Sequence, residues 1–268
     1  MNETLQRAIS GTVYVALLLA CILHSSFTFY ILFGIFLILT IHEFSKLVKI
    51  NKWTSLLLGI IIYSWAYQTQ FNPILDACIT LFCISIALKL IAFLFSNQKT
   101  NLYSYEKWMY LLGYIILPFL ILNKIPLGIK GYNPKILIGI FILIWTNDTF
   151  AFIVGKSIGK HKLFERISPK KTIEGFLGGL IFSILTGIVI AKFIIETSNT
   201  HIWIGIAVLV SIFATLGDLI QSKFKRIAGV KDSGTIMPGH GGILDRLDSI
   251  IFVAPFIYLF YQILNYVS

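Results

Sequence analysis

The chain has 268 residues, of which 57% are hydrophobic and 13% charged, with a mean hydropathy of +0.84; an ordinary soluble domain carries about 25% charged residues. That balance excludes a soluble globular enzyme. The formal charge of +10 sits in short loops between apolar runs and not on a folded basic surface, which argues for anionic lipid headgroups and nucleotide phosphates as partners and against nucleic acid.

Apolar runs able to cross about 30 Å of hydrocarbon centre on residues 8–23, 27–44, 53–69, 73–95, 106–123, 134–152, 173–195, 201–220 and 247–266. The expected fold is therefore all-α, a polytopic integral membrane protein of about nine transmembrane helices. The first run follows Met1 to Arg7 with no convincing cleavage site and is read as an uncleaved helix. Only His24, Ser25 and Ser26 separate it from the second, so a single long helix there is the alternative. Cys21, Cys78 and Cys83 fall inside apolar runs, with no C-x-x-C pair or histidine cluster to complete a zinc site.

Lysine and arginine orient the bundle. With the N-terminus in the cytoplasm, the inner loops hold Lys46, Lys49 and Lys52, then Lys99 and Lys107, then the run from Lys156 to Lys171, and finally Lys223 to Arg246; the outer loops hold Lys124, Lys130 and Lys135. The asymmetry favours a C-terminus outside, in the cell's inner membrane. Lys89 and Lys192 lie near helix ends, where their stems can snorkel to the interface. Residues 1–130 supply the N-terminal helices and 131–268 the C-terminal helices with the polar chemistry, together one membrane domain.

Of the twelve acidic residues, Asp148 ends the sixth expected helix, Asp218 ends the eighth, and Asp245 and Asp248 open the ninth, all at the cytoplasmic edge. An ionised carboxylate at that depth is costly unless it is paired or holds a cation. Asp245 and Asp248 are three apart and share a helix face. A set of Asp218, Asp245 and Asp248 suits magnesium, which takes one or two carboxylates plus substrate phosphates; the alternative is pairing with Arg246 or nearby lysines. Between them run Ser222 to Arg226, Lys231 to Gly234, and Pro238-Gly239-His240-Gly241-Gly242. Glycines permit close backbone approach, lysine and arginine neutralise phosphate oxygens, and a following helix start adds N–H groups, so the stretch reads as a phosphate cradle. His240 has no assigned role beyond phosphate contact, proton transfer or packing. A second basic loop carries Lys170 and Lys171, with Ser168 or Thr172 to cap the seventh helix.

At these residues the sequence resembles the phosphatidate cytidylyltransferase (CDP-diacylglycerol synthase) family. The signature Ser-x-x-Lys-Arg, four residues, Lys-Asp, then Pro-x-His-Gly-Gly-x-x-Asp-Arg-x-Asp falls on Ser222, Lys225, Arg226, Lys231, Asp232, Pro238, His240, Gly241, Gly242, Asp245, Arg246 and Asp248 in register. The resemblance covers about residues 140 to 250. Gln221 stands where the family usually has Glu, and Phe150 and Phe152 replace a small residue and a tyrosine. The resemblance implies that CTP and phosphatidate give CDP-diacylglycerol and pyrophosphate. It implies Asp218 and Asp245 on magnesium, Asp248 as a further ligand or just behind, and room for a second cation. Ser222, Lys225, Arg226 and Lys231 would then grip phosphates, with His240, Gly241, Gly242, Arg246, Asp148, Lys170 and Lys171 as further substrate contacts. It also implies a homodimer. Rivals are a CTP-dependent transferase or kinase acting on a prenyl lipid, and an ion transporter using the same aspartates.

Overall fold

The computed structural model describes residues 3–68, 73–96, 102–128 and 131–267; Lys99 and Lys130, counted in the charge asymmetry, lie outside them. Each apolar run forms a helix: α1 (Glu3–His24), α2 (Ser26–Val48), α3 (Lys52–Gln68), α4 (Pro73–Phe95), α5 (Ser104–Lys124), α6 (Pro134–Ile158), α7 (Ile173–Ile194), α8 (Thr200–Ile227) and α9 (Leu244–Val267). Eight are long and apolar enough to cross a membrane. The other, α3, has 17 residues and spans roughly 25 Å at 1.5 Å per residue. The chain is an integral membrane protein of the all-α class.

Ser25 decides the first junction. It is extended, and its side chain accepts from the Thr28 amide at 3.1 Å, capping α2 so that α1 and α2 are separate helices. The bundle has two polar ends. At one meet the start of α1, the ends of α2, α6 and α8, and the starts of α7 and α9. At the other, Lys124 at the end of α5 pairs with Asp76 near the start of α4, and Tyr258 of α9 donates to Asp76 at 3.1 Å. The termini thus lie at opposite ends. The division at residue 130 is not one of packing, because Glu43 of α2 hydrogen-bonds the backbone that starts α9.

The sequence reading left out two short hairpins. β1 (Leu127–Gly128) pairs antiparallel with β2 (Gly131–Tyr132), and β3 (Lys162–Phe164) pairs with β4 (Ser168–Thr172). Two helices also run further than the hydropathy suggests. The 28 residues of α8 extend roughly 42 Å, beyond the hydrocarbon, so Ser222, Lys223, Lys225 and Arg226 stand on helix and not in a loop. α6 likewise continues to Ile158 and carries Lys156.

Phe224 fixes this projecting end of α8. Its ring lies 5.4 Å from Phe44 of α2, 5.6 Å from Phe93 of α4, and 5.9 and 6.1 Å from Tyr110 and Tyr114 of α5, centroid to centroid. Tyr114 sits in a π-helical turn, Leu111–Ile116, just before Pro118, whose ring cannot accept the ordinary helical register. Lys223 closes the contact by donating to the last carbonyls of α4, Phe93 and Leu94, and to Ser96. Phe224→Ala should cost about 3 to 5 kcal/mol of stability, measured as a fall in thermal unfolding temperature in detergent together with lower activity.

Candidate active site

Three helices, α6, α7 and α8, and the β3–β4 hairpin converge on a cleft of about 580 Å³. Its floor holds Asp148 of α6 and Asp218 of α8; its wall holds Lys156, Lys162, Lys170 and Lys171. Thr172, rather than Ser168, caps α7, accepting from the Gly175 amide at 3.1 Å. Glu174 anchors the hairpin by accepting from the Lys160 and His161 amides at 3.1 and 3.2 Å and pairing with His161 Nδ1 at 2.7 Å. These bonds aim β4 so that Lys171 Nζ pairs with Asp218 Oδ2. Burial opposes the Lys171 charge, yet Asp218, with Asp148 and Asp248 beyond it, holds its pKa above the usual lysine value.

A second, smaller lobe of about 290 Å³ adjoins the first at Asp148, which lines both. It contains Asp245, Arg246 and Asp248 of α9, with His240 from the preceding loop and Tyr14 from α1. The close approach of α8 to α9 at Gly217, where a Cβ would lie 2.9 Å from the Asp248 carbonyl oxygen, sets Asp218 beside this second group.

The 228–243 loop is built around two carboxylates. Asp245 Oδ2 accepts from the amides of Ser233 and Gly242 at 2.8 and 3.0 Å, and Oδ1 accepts from Lys225 Nζ at 2.8 Å. Glu43, only 2% exposed, accepts from the Ile243 amide at 3.0 Å through Oε1 and from the Leu244 amide at 2.8 Å through Oε2. Ser233 Oγ lies 2.9 Å from both Glu43 Oε2 and Asp245 Oδ2 and has one proton to give.

This corrects one part of the expected phosphate cradle, the free N–H groups at the helix start. The amides of Gly242, Ile243 and Leu244 at the start of α9 are taken by protein carboxylates, which satisfy the helix terminus and its dipole, and are not left for a ligand. The glycines serve the loop instead. Gly241 has φ +87°, and a Cβ on Gly242 would strike the Glu43 carboxylate and Ser233 Oγ.

Asp148, Asp218, Lys170 and Lys171 therefore gather at the larger lobe, and Asp245, Asp248, Arg246 and His240 at the smaller. Lys225 serves Asp245, and Ser222 Oγ donates to Asp218 Oδ1 at 3.4 Å. Arg226 and Lys231 are exposed and line neither lobe. Gln221 is fully buried, with both amide atoms lacking a hydrogen-bond partner among the described residues. An ionised glutamate in that place would be far costlier to leave unpaired. Phe150 stacks on Phe182 at 3.7 Å, while Phe152 is exposed at the larger lobe.

Residues missed from the sequence are Glu43, Ser233, Tyr14 and Ser10. Ser10 Oγ is 2.7 Å from His240 Nδ1 and donates to the Pro238 carbonyl at 3.0 Å, tying α1 to the loop. Burial, and then the charges of Arg246 and Arg7, lower the His240 pKa from the ordinary histidine value. For Glu43 a signal was present, a lone acid inside an apolar run.

As a metal centre the donors are all oxygens, the kind magnesium prefers. Among the described residues no group of three or more His, Cys, Asp or Glu side chains stands ready to enclose an ion, and Lys171 and Lys225 already engage Asp218 and Asp245. The set thus fits a cation that arrives with phosphates and needs one or two carboxylates, and not a closed protein cage.

Fold and site together define an integral membrane protein with an acidic and lysine-rich centre at one end of its bundle. The sequence model of the cytidylyltransferase family matches residues 5–264, and the chain belongs to that family. It is similar to the phosphatidate cytidylyltransferases of Staphylococcus aureus (strain COL), 52% identical over 115 residues, and Staphylococcus haemolyticus (strain JCSC1435), 54% identical over 115 residues. Each alignment covers 43% of this chain and 44% of the relative, so the match spans less than half the length of either protein.

Proposed function

We propose that the protein transfers CMP from CTP to phosphatidate at the cytoplasmic face of the cell membrane, giving CDP-diacylglycerol and pyrophosphate. The observation that carries this reading is the pairing of a lysine-lined cleft with a smaller, partly apolar lobe across one shared carboxylate, Asp148. Two phosphate-bearing substrates can meet there. Family membership and relatives named phosphatidate cytidylyltransferase support the same reading.

In the reaction an oxygen of the phosphatidate phosphate attacks the α-phosphorus of CTP, the bond from that phosphorus to the bridging oxygen breaks, and pyrophosphate leaves. A phosphomonoester with a second pKa of about 6 is already a dianion at pH 7, so no strong protein base is required. The protein must instead hold the two in line and neutralise charge. Lys156, Lys162, Lys170 and Lys171 would take the triphosphate, and Arg246 the acceptor phosphate. Asp218 and Asp248, with Asp245 beside them, would hold magnesium, which when bound supplies charge neutralisation on the phosphates; a second cation rests on family resemblance alone. A homodimer rests on family resemblance alone.

The test is release of pyrophosphate from labelled CTP by purified protein, with phosphatidate or a prenyl phosphate as acceptor, with and without magnesium. Product is expected with phosphatidate only, and only with the metal. A preference for the prenyl acceptor, or ion flux without pyrophosphate, would overturn the reading.

A further inference from the structure

The two lobes differ in their walls. The larger is lined by Lys156, Lys162, Lys170 and Lys171, whereas the smaller has apolar lining from α1 and α6, with Val15, Ile144 and Trp145, and polar lining in which Arg246 and His240 join the site aspartates. Such a lobe suits an amphiphile with an anionic head.

Within it Tyr14 has no use for its hydroxyl. That oxygen is buried and has no hydrogen-bond partner among the described residues, which costs free energy in any protein interior. The ring is packed against Phe36, 5.9 Å between centroids, so the hydroxyl is held in place, within the fields of Arg246 and Asp248. Arg246 gives Nε and Nη2 to the His240 carbonyl, at 3.3 and 2.7 Å. Its Nη1 remains for a ligand.

Among the eight described helices long and apolar enough to cross a membrane, α1 is also the least buried. Only 11% of its apolar window is buried, against 33% or more for the other spans. At its start, however, it is closely docked. Ser10 bonds His240 and Pro238, and a Cβ on Gly11 would lie 3.3 Å from His240 Cε1. α1 is thus a peripheral helix whose first turns touch the 228–243 loop, and its Tyr14 and Val15 form part of the lobe's lining.

We infer that the smaller lobe is the lipid-phosphate subsite and that Tyr14 of α1 donates a hydrogen bond to that phosphate, beside Arg246, while the acyl chains leave past Val15 and Trp145 into the bilayer. The inference rests on the proposed reaction for the identity of the amphiphile. It makes the first helix part of the substrate site.

Two measurements test it. In the steady state, Tyr14→Phe keeps the ring and removes the hydroxyl; the KM for dioctanoyl phosphatidate should rise about tenfold, the loss of one hydrogen bond to a charged group, with the KM for CTP unchanged. Val15→Trp, which fills the chain exit, should act on the same constant, and Ser168→Trp in the larger lobe should raise the KM for CTP alone. In the second, labelled dioctanoyl phosphatidate is bound to the protein without CTP; Tyr14→Phe should weaken binding about tenfold, and glycerol 3-phosphate should not compete. An unchanged lipid constant and unchanged binding in Tyr14→Phe, or a shift in the CTP constant instead, would overturn the assignment. Wild-type protein that binds the lipid but gives no product from CTP would sink the proposed reaction and leave the lobe standing.

Discussion

Glu43→Ala should reduce turnover by more than a hundredfold while leaving the helices assembled. The side chain is a single carboxylate serving two amides, those of Ile243 and Leu244, and lying within reach of the Ser233 hydroxyl. Its removal leaves two buried N–H groups unpaired, at about 1 to 3 kcal/mol each, and takes a negative charge from the start of α9. Total stabilities are only about 5 to 15 kcal/mol, but the loss falls on one loop, so the expected result is local opening. Limited proteolysis from the site end should cut within residues 228–243 in the variant and not in the parent, with the helical signal unchanged. Glu43→Gln should behave similarly, since its amide nitrogen must face a donor whichever way it turns. A parent-like cleavage pattern with full activity would show that the loop is held by Asp245 alone.

Glu43 also shows where reading along the chain stops short. The helices were legible because burial in lipid demands long apolar runs, and each of these became a helix. The junction at Ser25 and the cap at Thr172 stood among the alternatives open in the sequence, and local chemistry decides both, a hydroxyl placed three residues before the amide it caps. What was not legible depends on residues far apart in sequence. Glu43 meets its partners 190 to 201 residues later, and Ser10 meets His240 after 230; no spacing rule connects them. The end of α8 was misplaced for another reason. Its last two turns leave the membrane and become basic, so falling hydropathy looks like the end of the helix although the backbone continues. The β3–β4 hairpin was hidden because strands of three and five residues in a lysine-rich segment carry no alternation. Most of the acidic and basic residues singled out in the sequence line the two lobes, but their division between those lobes, and the seating of Glu43 by the glycine loop, exist only in three dimensions.

That division separates two aspartates that look equivalent in sequence. Asp218→Asn and Asp245→Asn should both lower turnover by about 10² to 10³, the usual loss when one preorganised charge contact is removed, but with different effects on the fold. Asp218 faces the larger lobe, with Lys171 on one oxygen and the 3.4 Å contact from Ser222 on the other. Its carboxylate is partly exposed, and replacement leaves no backbone group unpaired, so unfolding temperature and loop protection should be near those of the parent. Asp245 is almost enclosed, its side chain 6% exposed, and each oxygen already receives donors: Lys225 on one, the Ser233 and Gly242 amides on the other. An asparagine there must turn its own NH2 toward one of those groups, so Asp245→Asn should also lower the unfolding temperature and expose the loop as Glu43→Ala does. Magnesium dependence then separates cation binding from loop support. If Asp218 holds the metal through charge, the residual activity of Asp218→Asn should need a magnesium concentration at least tenfold higher for half-maximal rate. An unchanged metal requirement would leave Asp218 as the partner of Lys171 and move the cation to Asp245 and Asp248.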